Sequence, residues 1–279
     1  MKRPFADRDD HHPTAARGWQ RVVDLGITLA LWTYFTLGFV VLFAPFYLVA
    51  AAVPPYRMTA FQRLNHWFYR LFFRLCRLLM PYQHWEIDAA VKAFRAAVIV
   101  CNHVSYIDPI LLISLFPQHT TIVKARLFKI PVFGWMLRLT GYIPSAADHK
   151  LADVMLRRMD TLCRDLHRGG NLIVFPEGTR SRDGTIGPFN AGAFKLARRC
   201  RMPIQMIVVR GTQRLFRPGR FLFNTLATNT IRVVSVGRIA PDYDDPDFSM
   251  AALVETVHRQ MVAAMTASPE SPNGVQPQR

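Results

Sequence analysis

A histidine and an aspartate stand five positions apart in Asn102-His103-Val104-Ser105-Tyr106-Ile107-Asp108-Pro109. A neutral imidazole near pH 7 can take a proton from a hydroxyl, and a carboxylate on its other nitrogen fixes the tautomer. The pair can therefore act as a base and its orienter, making an alcohol nucleophilic. It can equally be a satisfied turn histidine and a helix-capping aspartate, because short motifs recur without function. The apolar run Ala96 to Cys101 reads as a buried strand, and Pro109 suits the first turn of a helix. His103 and Asp108 then fall where a strand hands over to a helix, the usual place for a site in an α/β sheet.

A second strand-like run, Asn171 to Phe175, leads into Pro176-Glu177-Gly178-Thr179-Arg180-Ser181-Arg182-Asp183-Gly184. Glycine lets the backbone approach a ligand, and arginine offers a planar fork matched to phosphate oxygens. This loop is a candidate anion site. Standing alone, it would read first as a polar surface loop with solvated arginines.

Together, Asn102-His103-x4-Asp108 and Phe175-Pro-Glu-Gly-Thr-Arg-Ser181 resemble the glycerolipid acyltransferase family, which includes the 1-acylglycerol-3-phosphate acyltransferases. Two further blocks fit in the family's order: Lys124 to Trp135, leading to Gly141-Tyr142-Ile143-Pro144, and the Pro203-led run to Val209. The resemblance implies a one-step transfer. His103, oriented by Asp108, would deprotonate an acceptor hydroxyl that attacks an acyl thioester directly. Ser105 would be a turn residue rather than a nucleophile, and no Gly-x-Ser-x-Gly elbow surrounds it. Glu177, Gly178, Thr179 and Arg180 match the acceptor-binding motif, with Arg180 as the phosphate contact. Lys124 is either a second cation of that pocket or a solvated strand-end lysine. The donor would be acyl-CoA or acyl carrier protein, as co-substrate rather than cofactor, with no metal.

Two positions depart from the family pattern. The arginine expected near Ala147 is absent, and Asn190 stands where a lysine is common. Both changes remove positive charge near the acceptor. Lysophosphatidic acid leads as acceptor on family grounds, with another lyso-lipid or lipid alcohol open. A membrane scaffold without turnover is the reading from another class.

The elements that must position these residues follow from pattern. No charged residue occurs from Leu25 to Val53. At about 1.5 Å per residue, that stretch as a helix exceeds the roughly 30 Å hydrocarbon thickness. Pro45 could kink it or break it into a re-entrant pair. Arg17 and Arg21 precede it while Arg57 and Arg63 follow, and such symmetric flanks favour a hairpin or tilted insertion returning to the cytoplasmic face. From Phe61 to Met80, Arg63, Arg70, Arg74 and Arg77 share one helical stripe, with Phe61, Leu64, Phe68, Leu71, Phe72, Leu75 and Leu79 opposite. That pattern suits a helix lying in a membrane interface against anionic lipid, or a surface helix packed on the domain.

A net charge of +16 would also suit nucleic acid, but no nucleic-acid-binding motif accompanies it. The four cysteines, Cys76, Cys101, Cys163 and Cys200, lack paired spacing, so neither zinc nor a disulfide frame is expected. Strands are expected at 120–123, 172–175, 204–209 and 231–236, and helices at 148–168, capped by Asp148, and at 248–265. The expected fold is α/β, a mixed sheet flanked by helices and preceded by a membrane-embedded helical segment. Its parts are a polar leader (1–23), an apolar segment (24–56), an amphipathic interfacial helix (57–82), the catalytic domain (83–267) and a disordered tail (268–279). Expected partners are membrane lipids, with the catalytic domain on the cytoplasmic face.

Overall fold

The computed structural model describes residues 14–145, 152–181, 183–216 and 219–267. Its strands are Gln83–Ile87 (β1), Ala97–Cys101 (β2), His119–Val123 (β3), Ile143–Pro144 (β4), Asn171–Val174 (β5), Ile204–Arg210 (β6) and Asn229–Ile239 (β7). They form one seven-stranded sheet in the order β1-β7-β6-β2-β5-β3-β4. Every neighbouring pair is parallel except β6 and β7. β2 is buried at all positions, as a strand covered on both faces must be. Its alternation divides the core: Ile99 and Cys101 face one cluster, Val98 and Val100 the other. The expected mixed α/β architecture is present.

The helices are Thr14–Thr33 (α1), Ala44–Ala52 (α2), Arg57–Leu79 (α3), Ala89–Lys92 (α4), Asp108–Ile113 (α5), Phe133–Thr140 (α6), Ala152–His167 (α7), Gly192–Cys200 (α8), Thr212–Leu215 (α9) and Met250–Thr266 (α10). Helix α7 occupies the expected 148–168 segment, whose Asp148 cap lies outside the described residues, as do the leader before Thr14 and the tail from Ser268. Helix α10 begins two residues later than periodicity suggests, because the Ser249 side chain accepts the Ala252 N–H and fixes the start.

Residues 14–52 are helical throughout, with a π-helical stretch Tyr34–Phe43 joining α1 to α2. Pro45 does not break this helix. It sits in the first turn of α2, where its missing N–H is least costly. The chain turns at Pro54–Tyr56 and returns as α3, antiparallel to the first arm. Phe35 meets Phe72 at 5.6 Å, Phe39 meets Phe68 at 5.7 Å and Tyr47 meets Phe61 at 5.0 Å. Gly18–Ala52 is long and apolar enough to cross a membrane, yet it forms one arm of a hairpin whose other arm packs on the sheet.

A buried polar chain fixes the register of that hairpin. The Tyr47 hydroxyl donates to Asn65 Oδ1 at 2.5 Å, and Asn65 Nδ2 lies 3.3 Å from both Thr140 Oγ1 and Tyr142 Oη. Tyr142 in turn meets His119 Nε2 at 2.8 Å. Burial pulls the His119 imidazole down to about 3, so it stays neutral and adds no buried charge.

Two expectations change here. The apolar face of α3 is largely occupied by protein: Phe61, Phe68, Phe72, Phe73 and Cys76 are buried, leaving Trp67, Leu71 and Leu78 exposed beside the arginine stripe. Cys163 of α7 and Cys200 of α8 form a disulfide across a separation of 37 residues. Their wide spacing gave no sign of it, since only the packing of α7 beside α8 brings them together.

Candidate active site

Strands β5, β2 and β6 are parallel neighbours, so the loops leaving their C-terminal ends emerge side by side. His103 follows β2, Glu177 and Arg180 follow β5, and Thr212 follows β6. Three segments distant in sequence thus meet at one edge of the sheet. Asn102 ties two of them, its Nδ2 donating to Val209 O at 2.9 Å and its Oδ1 accepting Val209 N–H at 2.7 Å.

Asp108 is fully buried, and its carboxylate is saturated with donors. Oδ2 accepts the backbone N–H groups of Val104 at 2.7 Å and Ser105 at 2.6 Å, and lies 3.1 Å from His103 Nδ1. Oδ1 accepts the Thr212 hydroxyl at 2.6 Å. Such bonding lets a carboxylate stay charged in the interior. An acceptor-only partner requires the proton on Nδ1, which leaves the His103 Nε2 lone pair free. The imidazole also rests on Phe175, ring centres 4.6 Å apart. The pair has the geometry that a base and its orienter need, and Asp108 caps its loop as well.

Glu177 acts as a brace between loops. Oε1 accepts the His103 N–H and Oε2 the Gly187 N–H, each at 3.0 Å. Burial raises its carboxyl above the ordinary glutamate range, opposed by these two bonds. Both oxygens are thus engaged by backbone rather than turned to a ligand. Ser181 N–H donates to His103 O at 2.8 Å, a second tie between the same loops. Gly178 sits at φ +68, a left-handed conformation that suits glycine. Thr179 is exposed beside it. Asn190, where a lysine was expected, donates through Nδ2 to Pro176 O at 3.0 Å and so supports the loop. Ala147 lies outside the described residues.

Arg180 is half-buried, with its guanidinium 3.9 Å from the centre of the Tyr106 ring. Among the described residues, its Nε and Nη1 are buried without a hydrogen-bond partner. A permanently charged group in that state is costly, and an anion would relieve it. Lys124 is exposed at the C-terminal end of β3, on the same edge but beyond β5.

Beside the His–Asp loop lies an apolar cavity of about 170 Å³. Leu31, Trp32 and Phe35 of the N-terminal helical arm form one wall, and Tyr106, Ile110 and Phe216 line the side toward the His–Asp loop.

The acyltransferase family profile matches residues 86–210, which hold the His–Asp pair and the arginine loop. Residues 86–210 thus match an acyltransferase domain. A chloroplastic 1-acyl-sn-glycerol-3-phosphate acyltransferase of Brassica napus is 31% identical over 57% of this chain and 47% of its own length. A 1-acyl-sn-glycerol-3-phosphate acyltransferase of Saccharomyces cerevisiae is 26% identical over 76% of this chain and 69% of its own. The chain thus spans about half the length of the Brassica relative. The crystal structure of the 1-acyl-sn-glycerophosphate acyltransferase PlsC of Thermotoga maritima shares the fold, with a TM-score of 0.63 at 21% identity, over 88% of this chain and 99% of that one.

Three parts of the site escaped sequence reasoning. Thr212 carries no motif, though its place just past β6 was a usable signal once β6 was set beside β2. The cavity wall from α1 was hidden because an apolar helix read as lipid-facing has no reason to face a site. The bracing role of Glu177 depends on backbone positions that composition does not show.

Proposed function

We propose that this protein is a membrane-bound O-acyltransferase. It moves a fatty acyl group from a thioester to the free hydroxyl of a lyso-glycerolipid, with 1-acyl-sn-glycerol-3-phosphate as the leading acceptor and phosphatidic acid as product. The observation that carries this reading is the meeting of the His103–Asp108 pair, the Arg180 guanidinium and the apolar cavity at one sheet edge. His103 Nε2 takes the acceptor hydroxyl proton as its oxygen attacks the thioester carbonyl. The carbon–sulfur bond breaks, and the imidazolium returns the proton to the departing thiolate. Asp108 stabilises the charged imidazole throughout. Arg180 pairs with the acceptor phosphate, and the cavity receives an acyl chain. Coenzyme A and acyl carrier protein present the same phosphopantetheine thioester, so either serves as donor.

Membrane binding is part of the proposal. Leu37, Val40, Phe46 and Val49 are exposed on the first helical arm, and Ile130, Val132, Phe133 and Trp135 are exposed near α6. Arg63, Arg70 and Arg74 stand outward on α3, a charge pattern that suits anionic head groups on the cytoplasmic face. The charge lost at Ala147 and Asn190 favours keeping a second acceptor class, a lyso-lipid without a phosphate monoester. Thioester consumption by detergent-purified protein, with products identified by mass, tests both. The acceptors are lysophosphatidic acid, glycerol 3-phosphate, other lysophospholipids and a lyso-aminolipid. Turnover on lysophosphatidic acid that drops about 10²–10⁴-fold in His103→Ala supports the reading. Turnover equal in both proteins, or none on any acceptor with either donor, sinks it in favour of a scaffold.

A further inference from the structure

Tyr106 lies midway through the catalytic loop, between buried Ser105 and buried Ile107, yet it is 60% exposed. The fold does not require an aromatic ring at so open a position. What the ring touches is informative. The Arg180 guanidinium stands 3.9 Å from its centre, and the ring also lines the apolar cavity with Trp32, Phe35 and Phe216.

Stacking suits a cation that must remain available. A carboxylate partner would occupy the N–H groups of Arg180 and neutralise the charge an incoming anion needs. An aromatic face attracts the guanidinium through its quadrupole and leaves the in-plane N–H groups unspent. Nε and Nη1 have no hydrogen-bond partner among the described residues, as this arrangement requires. A free arginine side chain also carries considerable rotamer entropy, which stacking removes before the ligand arrives.

We propose that Tyr106 is a positioning residue, which holds Arg180 ready for the acceptor phosphate and divides the head-group subsite from the acyl cavity. This rests on Arg180 being the acceptor's anion contact. Because His103 and Asp108 flank Tyr106 in the same loop, the ring ties the anion site to the base.

Steady-state kinetics with acceptor and acyl-CoA varied separately provide the test. Tyr106→Leu keeps an apolar wall and removes the ring, so the acceptor KM should rise about 2–30-fold, the range of a cation–π contact. The donor KM and kcat should move far less, and Tyr106→Phe, which restores the ring, should restore the acceptor KM. In an Arg180→Ala background, Tyr106→Leu should add nothing. A wild-type acceptor KM in Tyr106→Leu, an equal rise in the donor KM, or an undiminished effect without Arg180 would each overturn the proposal. Calorimetric titration with glycerol 3-phosphate reads the same contact without turnover, and Tyr106→Leu should bind it more weakly. Equal binding overturns the role of Tyr106. Wild-type binding without turnover defeats the acyltransferase reading alone, whereas no wild-type binding defeats the anion site and Tyr106's role with it.

Discussion

Thr212 donates its hydroxyl to Asp108 Oδ1 at 2.6 Å, joining residues 104 positions apart, both wholly buried. The bond completes the carboxylate, whose other oxygen already serves Val104, Ser105 and His103. Thr212→Val keeps the shape and deletes the donor. The change should cost about 1–3 kcal/mol of stability, because a buried carboxylate oxygen is left unmet. It should also lower kcat, because the carboxylate loses a fixed orientation. Thr212→Ser should retain most of both. Denaturant melts beside kcat settle the matter: a valine variant with wild-type values would make the bond incidental.

His103 and Asp108 should separate in their effects. The His103 side chain is 18% exposed, and without it Asp108 keeps the Val104, Ser105 and Thr212 donors, so His103→Ala should lose turnover while melting near wild type. Asp108→Asn must set its N–H₂ against the Val104 and Ser105 donors or reverse the Thr212 bond. Either way it removes the charge these donors surround, so it should lose stability as well as turnover. Parallel thermal melts and assays check this, and equal melting of the two variants would speak against Asp108 as the structural centre of its loop.

Glu177 gives a pH signature. Burial raises its carboxyl, so the folded protein holds that proton more tightly than the unfolded chain does. Stability therefore falls as pH rises from the ordinary glutamate value through the raised one, and levels off above it. Glu177→Gln should flatten this part of the stability curve in mild acid. It should also lose activity, because an amide supplies only one acceptor oxygen for the His103 and Gly187 N–H groups. A curve unchanged in mild acid would remove Glu177 as its source.

How far the sequence disclosed all this can be judged from these residues. His103, Asp108 and Arg180 were legible because each sits in a short motif beside an apolar strand, and local pattern is what a chain displays openly. The order β6-β2-β5 is not local, since parallel strands are paired through intervening crossovers. Thr212 therefore stayed hidden until adjacency was known, as did the Cys163–Cys200 bond. The arginine stripe on α3 was read correctly as outward-facing, but the opposite face proved to be core. Amphipathic periodicity reports that a face is buried, not whether lipid or protein covers it.

The disulfide has a measurable consequence. Closing a loop of 37 residues should stabilise the folded state by about 3–4 kcal/mol through the unfolded chain's lost entropy. Oxidised protein should melt higher than reduced protein, and Cys163→Ser should melt like the reduced form under either condition. A cytoplasmic domain would meet thiol-reducing conditions, so rapid alkylation in cells should find these thiols reduced if that orientation holds. Identical melting of oxidised and reduced protein would mean that packing of α7 on α8 suffices without the bond.

The N-terminal helix should prove to be both anchor and substrate wall, and the two roles can be separated. Trp32 lines the cavity, whereas Phe46 and Val49 are exposed farther along the same arm. Trp32→Ala enlarges the cavity, so acyl-chain preference should shift toward longer chains. Each methylene newly accommodated is worth about 0.8 kcal/mol, or roughly fourfold in kcat/KM. Vesicle flotation should change far less than chain preference, since Trp32 is 37% exposed against 60% and 68% for Phe46 and Val49. Replacing Phe46 and Val49 together by serine should weaken flotation and leave the chain-length profile alone. If Trp32→Ala altered only flotation, the helix would be an anchor and nothing more, and the acyl chain would have to be held elsewhere.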